Sequence, residues 1–238
     1  RHLGFEGLGL LVFAMSYVGL YSVFSDLGLS TTHVKKYNEG LDEAKCNGTY
    51  AFLKFSLGLV VLFVVLASLF VIDFSETTKT LVIIFAIHGF VYNIRTIYST
   101  ISLSKTEAAK SVIPMAIGRI IKAPLKIILL TSGFGVAYIA FTDLAAVFIV
   151  LILCITFASF PIKKPDWNYV KIYLSFSLPV LFIGIVTVYS KTIDKVMLQY
   201  FSGTISVGIY ALPDRITKVI FLLPLAVHAN ILAASADL

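Results

Sequence analysis

Three cations share one face of a segment otherwise suited to burial in a membrane. Arg119, Lys122 and Lys126 lie within the apolar run Ser111–Leu130. At 100° per residue they fall within an arc of about 60°. A Lys or Arg at the centre of a transmembrane helix costs roughly 2.5–3.5 kcal/mol on insertion scales, so three facing lipid would cost about 8–10 kcal/mol. Such a face should line an aqueous cavity or meet a partner, and a cationic cavity suits a phosphate or carboxylate held by charge-assisted hydrogen bonds. The alternative is that the side chains snorkel toward the headgroups. Arg119 lies roughly 12 Å along the helix from Ser111 and Lys126 roughly 22 Å, so one could reach but not all three in one direction. Pro114 and Pro124 in the same segment free backbone carbonyls, which is tolerated where neighbouring helices or water can satisfy them.

A second polar face runs through Leu81–Leu103, where His88, Tyr92 and Arg95 stand within about 60° of one another and Ser99 joins them. Arg95 is mid-segment and needs water or a partner. His88 alone reads more readily as a hydrogen-bonded packing residue; grouped with Tyr92 and Arg95 it reads equally as a functional one. A third set lies near the chain's end: Lys191, Asp194 and Lys195, then Tyr210, Asp214, Arg215 and Lys218. Lys191 with Asp194 and Asp214 with Lys218 have helical pairing distances, and Asp194 with Arg215 is reachable across a short turn. The set reads either as a gate or coupling site, or as an ion-pair network that only satisfies buried charge. Lys54, Asp73 and Asp143 fall near predicted span ends and read as snorkelling or loop residues. No residues have metal-ligand spacing, no phosphate-binding glycine loop or catalytic triad is present, and neither a cofactor nor an enzymatic reaction is expected. Cys46 and Cys154 form no framework. The sequon Asn47-Gly48-Thr49 falls on the predicted cytoplasmic side and is read as chance.

The elements that must position these residues follow from composition. The chain is 58% hydrophobic and 13% charged, with mean hydropathy +0.94, against about a quarter charged in soluble domains. Its net charge of +6 sits in short loops and in the spans, so it forms no basic domain of the kind that binds nucleic acid. Runs of the length a bilayer requires predict seven membrane helices: Leu8–Phe24, Tyr50–Ile72, Leu81–Leu103, Ser111–Leu130, Val136–Phe160, Ile172–Phe201 and Ile205–Ala234. The fold class is all-α, a polytopic transmembrane helical bundle. If the loop Asp26–Thr49 is cytoplasmic, that side also receives Lys35, Lys36, Lys45, Lys105, Lys110, Lys163, Lys164 and Lys171, while the opposite loops carry only Lys79. This is a positive-inside bias. The alternative, an interfacial amphipathic helix over Ser111–Lys126, would invert everything after it. Pro161–Tyr173, with Pro165 and the lone Trp167, is the expected lobe boundary. The chain reads as a fragment cut at both ends.

Two stretches carry a family resemblance. Arg1-His2-Leu3-Gly4-Phe5-Glu6-Gly7-Leu8-Gly9-Leu10 is followed by Asp26-Leu27-Gly28-Leu29; later come Ser177-Leu178-Pro179, Asp194-Lys195-Val196-Met197-Leu198, Gly208-Ile209-Tyr210-Ala211 and Arg215-Ile216. Together they resemble polysaccharide (oligosaccharide) flippases of the multidrug/oligosaccharidyl-lipid/polysaccharide exporter superfamily. The resemblance implies 12–14 helices in two lobes around a central cavity. On that reading residues 1–160 are a first lobe lacking its first helix, 161–172 a cytoplasmic inter-lobe linker, and 173–238 the first two helices of the second lobe. The implied cargo is a polyprenyl- or dolichyl-linked oligosaccharide, flipped across the cell membrane by alternating access. Polysaccharide-assembly enzymes are the expected partners besides lipid and cargo. Helix faces then place the substrate at Arg95, Arg119, Lys122, Lys126, His88 and Tyr92, and gating or coupling at Lys191, Asp194, Lys195, Asp214, Arg215 and Lys218. A cation-coupled drug exporter of the same superfamily should instead favour buried acids. A membrane-embedded polymerase or ligase should carry reactive groups on a large outer loop, and the outer loops here are short. A receptor-like seven-helix bundle does not explain cations at mid-membrane on several helices.

Overall fold

The computed structural model describes the backbone of residues 3–157 and 160–236, and the side chains of 3–157, 160–217 and 220. Every regular element among them is a helix: α1 Gly4–Asp26, α2 Leu29–Asn38, α3 Glu43–Val71, α4 Glu76–Ser104, α5 Ala108–Thr131, α6 Val136–Phe157 and α7 Trp167–Ala236. The last is a hairpin of two limbs, 167–202 and 204–236, because Gly203 takes φ 77° and ψ 177°. That backbone region is essentially confined to glycine. The turn falls where the sequence predicts it.

Five of these helices are long and apolar enough to cross a membrane on those criteria alone; α5 is excluded by its charges, and α7 counts once although it doubles back. The protein is a multi-pass membrane helical bundle. α5 runs antiparallel to both neighbours. Ser111 near its start meets Ser99 on α4 at 2.5 Å, Gly118 abuts Val150 of α6, and Lys126 near its end reaches Asp143 of α6. A helix packed along its length inside the bundle is not lying in the interface, so the interfacial reading of Ser111–Lys126 is set aside.

The predicted loop Asp26–Thr49 is mostly helical. The chain turns at Leu27 and Gly28, with φ 47° and 77°, and α2 then folds its buried Leu29, Thr32 and His33 inward. α3 begins at Glu43, capped by the Asp42 carboxylate accepting from the Lys45 amide at 2.9 Å. α7 begins at Trp167, inside the predicted linker, because Asp166 accepts from the Asn168 amide at 2.9 Å. Two apolar clusters hold the bundle. One joins α1, α3, α4, α6 and the second limb of α7 through Phe13, Tyr17, Val65, Phe85, Ala140 and Val207. The other, at the linker end, joins α2, α3, α4 and α7 through Leu29, Tyr50, Ile101 and Tyr173. Outward-facing apolar side chains such as Phe63, Phe70 and Ile120 remain exposed, as lipid contact requires.

At the hairpin end, α1 and the second limb of α7 touch backbone to backbone. A Cβ placed on Gly9 would lie 2.0 Å from the Thr204 carbonyl oxygen, and one on Gly208 would lie 1.9 Å from that of Phe5. Two glycines, one on each partner, permit this close crossing.

Candidate functional site: a cationic cavity between three helices

α4 and α5 bring their polar faces together against α6. His88, Tyr92 and Arg95 from α4 and Arg119 and Lys122 from α5 line one cavity of about 270 Å³, closed by Asp143, Ala146 and Val150 of α6 and Met15 of α1. Five of the six residues assigned to substrate from helix faces thus share a wall. The sixth, Lys126, lines an adjacent cavity of about 640 Å³ with Asp143 and Arg215, its other walls being mainly apolar. Asp143 belongs to both.

Arg95 is the most deeply placed cation of this cavity, only 5% exposed. Its guanidinium lies 4.5 Å from the Tyr92 ring centroid, a cation–π contact. Its Nε and one terminal nitrogen are buried without a hydrogen-bond partner. Buried donors, above all charged ones, are costly to leave unpaired, so this edge of Arg95 suits an acceptor oxygen brought by a ligand or by water. Tyr92 also stacks near His88, with ring centroids 6.2 Å apart. Arg119 is exposed and has no carboxylate partner among the described residues.

Asp143 departs from expectation. The sequence places it eight residues into its span, and it reads as an end residue. In the fold its side chain is only 17% exposed, and it bridges Lys122 at 3.2 Å and Lys126 at 2.6 Å. α5 presents those lysines one turn apart and α6 runs antiparallel beside them, so one carboxylate reaches both. The three-cation wall is therefore partly neutralised, and the cations of this cavity without an acid partner among the described residues are Arg95 and Arg119. A signal was available: Asp143 is the only acid in its span, next to a span with three cations.

Lys54 likewise is no snorkelling residue. It is 2% exposed and donates to Asp26 at 2.7 Å; Ser30 donates to the same carboxylate at 2.5 Å. Asp26 is the acid of the Asp26-Leu27-Gly28-Leu29 stretch, so this motif ties α1 to α3. Asp73 does lie in the loop between α3 and α4, exposed. The Asn47-Gly48-Thr49 tripeptide, read as chance, has a structural use. Asn47 and Thr49 are fully buried. The Asn47 amide donates to the Pro161 carbonyl at 3.1 Å, and Thr49 Oγ1 accepts from the Asp166 amide at 3.2 Å. These bonds strap the 160–166 segment to α3, helped by Lys45 on Asp166 at 3.0 Å and Lys163 on Asp42 at 3.4 Å.

The residues assigned to gating converge only in part. Lys195, 5% exposed, donates to both oxygens of Asp194 at 2.9 and 3.0 Å and to the Lys191 carbonyl at 2.9 Å, and lies 3.7 Å from Asp214. Tyr210 donates to Asp194 at 2.7 Å. Lys195 is thus the hub between the two limbs. The sequence reading put Asp194 within reach of Arg215, but Arg215 points into the larger cavity with Lys126. The Lys191 side chain is exposed, and that of Lys218 lies outside the described residues.

A family model described as "Polysaccharide biosynthesis protein" matches residues 1–228. The chain belongs to that family. Among solved structures it is similar to an inward-facing conformation of a multidrug resistance MATE family transporter of the MOP superfamily, with TM-score 0.67 and 17% sequence identity over 91% of this chain. The likeness is one of fold, and the chain spans 55% of that transporter's length. No curated protein matches it. The chain is thus a polysaccharide biosynthesis membrane protein that shares that transporter's fold, and the cationic cavity lies among α4, α5 and α6.

Proposed function

We propose that this protein flips a polyprenyl- or dolichyl-linked oligosaccharide from the cytoplasmic to the outer leaflet of the cell membrane. The loop 26–49 then faces the cytoplasm, in keeping with the lysine bias of the loops. Two lobes, joined by the 161–172 linker, rock about a central site, and no covalent step is needed. One observation carries the reading: Arg95 and Arg119 converge from two helices on one cavity, and Arg95 keeps buried donors without an acceptor. Membership of a polysaccharide biosynthesis family supports a polysaccharide precursor as the anion, whose diphosphate would present several acceptor oxygens to two guanidinium groups. The Lys195 hub with Asp194, Asp214 and Tyr210 holds the two limbs of α7 together and sits where it can tie lobe closure to ion pairing. Polysaccharide-assembly enzymes would supply and consume the cargo.

The test uses cells lacking the intact gene, complemented with wild type or with Arg95→Ala/Arg119→Ala at equal membrane level. Lipid-linked oligosaccharide is expected to accumulate on the cytoplasmic leaflet, with rescue by wild type alone. Full rescue by the double variant would remove the cationic cavity from the mechanism. Unaltered arrival of precursor in the outer leaflet of the deletion strain would remove the flippase itself. Arrival without polymerisation or transfer would favour a membrane-embedded polymerase or ligase.

A further inference from the structure

The flippase reading leaves Asp143 without a part, yet among the described residues it is the acid that lines the cavity. It lines the same cavity as Arg119, holds Lys122 at 3.2 Å and Lys126 at 2.6 Å, and forms part of the lining of both cavities. A carboxylate between two lysines satisfies them just as a ligand phosphate would. An incoming dianion that engages Lys122 must displace Asp143, and the displaced carboxylate would then face that dianion inside a cavity where charges are weakly screened. Two negative groups sharing such a site do not both stay ionised cheaply.

We infer that Asp143 is the internal counter-anion of the cargo site: it occupies Lys122 when the site is empty, competes with the cargo's diphosphate for it, and takes up a proton when displaced. This rests on the flippase reading and adds a regulated specificity to it. Only a ligand that offers Lys122 more than one carboxylate does can displace Asp143, so a monoanion is discriminated against relative to a diphosphate. The proton comes from water and returns to water when the cargo leaves, so each loading cycle carries one proton in and out of the site. The charged and titratable groups that share these two cavities with Asp143 are Lys122, Lys126 and Arg119 on α5, His88, Tyr92 and Arg95 on α4, and Arg215 on α7; the α1 residues that line them are all uncharged.

The experiment measures binding of farnesyl diphosphate, with farnesol as the uncharged control, to the intact protein in nanodiscs from about pH 5 to pH 8. Wild type is compared with Asp143→Asn and Asp143→Glu. Titration of the probe and of His88 is common to all three, so affinity ratios isolate position 143. Asp143→Asn is expected to bind on the order of tenfold more tightly than wild type at the alkaline end, the ratio shrinking toward one as pH falls. Asp143→Glu should restore the wild-type profile, which a merely structural loss would not do. Equal affinity of wild type and Asp143→Asn at pH 8, with both binding the diphosphate, overturns the role of Asp143 and leaves the flippase reading standing. If neither binds the diphosphate better than farnesol, the cationic site itself is wrong.

Discussion

Two of the places where this bundle buries a cation treat it in opposite ways. At the junction of α1, α2 and α3, Lys54 is buried against Asp26, whose carboxylate also accepts from Ser30; Asn93 donates to the Lys54 carbonyl at 2.8 Å. Between α4, α5 and α6, Arg95 is nearly as buried but has only an aromatic ring and two empty donors. A buried charge whose bonds are complete is part of the scaffold. One whose bonds are incomplete beside a cavity is held ready for something else.

The comparison breaks first at the junction. Asp26→Ala would leave Lys54 buried without its carboxylate, and losing one partner of a buried pair costs roughly 3–5 kcal/mol. A fall of that order in stability, read by thermal unfolding in detergent, is expected together with loss of transport. A variant as stable as wild type would show that Lys54 finds water, and the two regions would no longer differ. Arg95→Met should behave in the reverse sense. Removing a cation that already lacks partners should leave unfolding unchanged or raise its midpoint, while diphosphate affinity falls by about ten- to a hundredfold, the worth of one hydrogen bond to a charged group. A destabilised Arg95→Met with normal affinity would assign Arg95 to the scaffold.

Smaller effects sharpen the same contrast. Gly203→Ala puts a side chain into a glycine-only conformation and is expected to cost about 1–3 kcal/mol, loosening the α7 hairpin without touching the cavity. Its readout is the unfolding midpoint against diphosphate affinity; a change in affinity alone would link the hairpin to the site. The least effect is expected at the 160–166 strap. The hydrogen bond from Lys45 holds the Asp166 carboxyl below its ordinary value of 3.8, and that of Asp42 is lowered chiefly by the Lys45 backbone amide. A lowered folded-state pKa contributes stability that is complete above the ordinary value and is lost as pH falls through the lowered one. Amide protection of Lys163 and Asp166 should therefore be flat from about pH 5 to pH 8. Protection that decays by pH 6 would mean that another group holds the strap.

Much of this was open to a reader of the sequence, though unevenly. Most of the membrane-length runs, the turn at Gly203 and the cationic face of α5 follow from apolar length, glycine and helical period, all of them local. The face of α4 was legible for the same reason, and its meeting with Arg119 and Lys122 followed once both segments were taken as helices with one polar side. α2 was hidden because a ten-residue helix with two buried polar residues, Thr32 and His33, gives a weak apolar pattern. The tie between Asn47-Gly48-Thr49 and 160–166 was hidden because it is made between segments more than a hundred positions apart.

Which cations are paired is a different kind of fact. Lys54 and Asp143 both stand near the ends of apolar runs, where a lysine can snorkel and an aspartate can reach water, and local rules give no reason to bury either. Their partners are chosen by how α1 lies on α3 and how α6 runs beside α5. An ion pair needs its atoms within about 4 Å, a tolerance far finer than any span boundary. From its own order of residues the chain determined that it would be a helical membrane bundle with cations turned inward. Only packing decided that Asp143 would cover two of those cations and leave Arg95 and Arg119 open, because charge balance in a buried site depends on distances between helices.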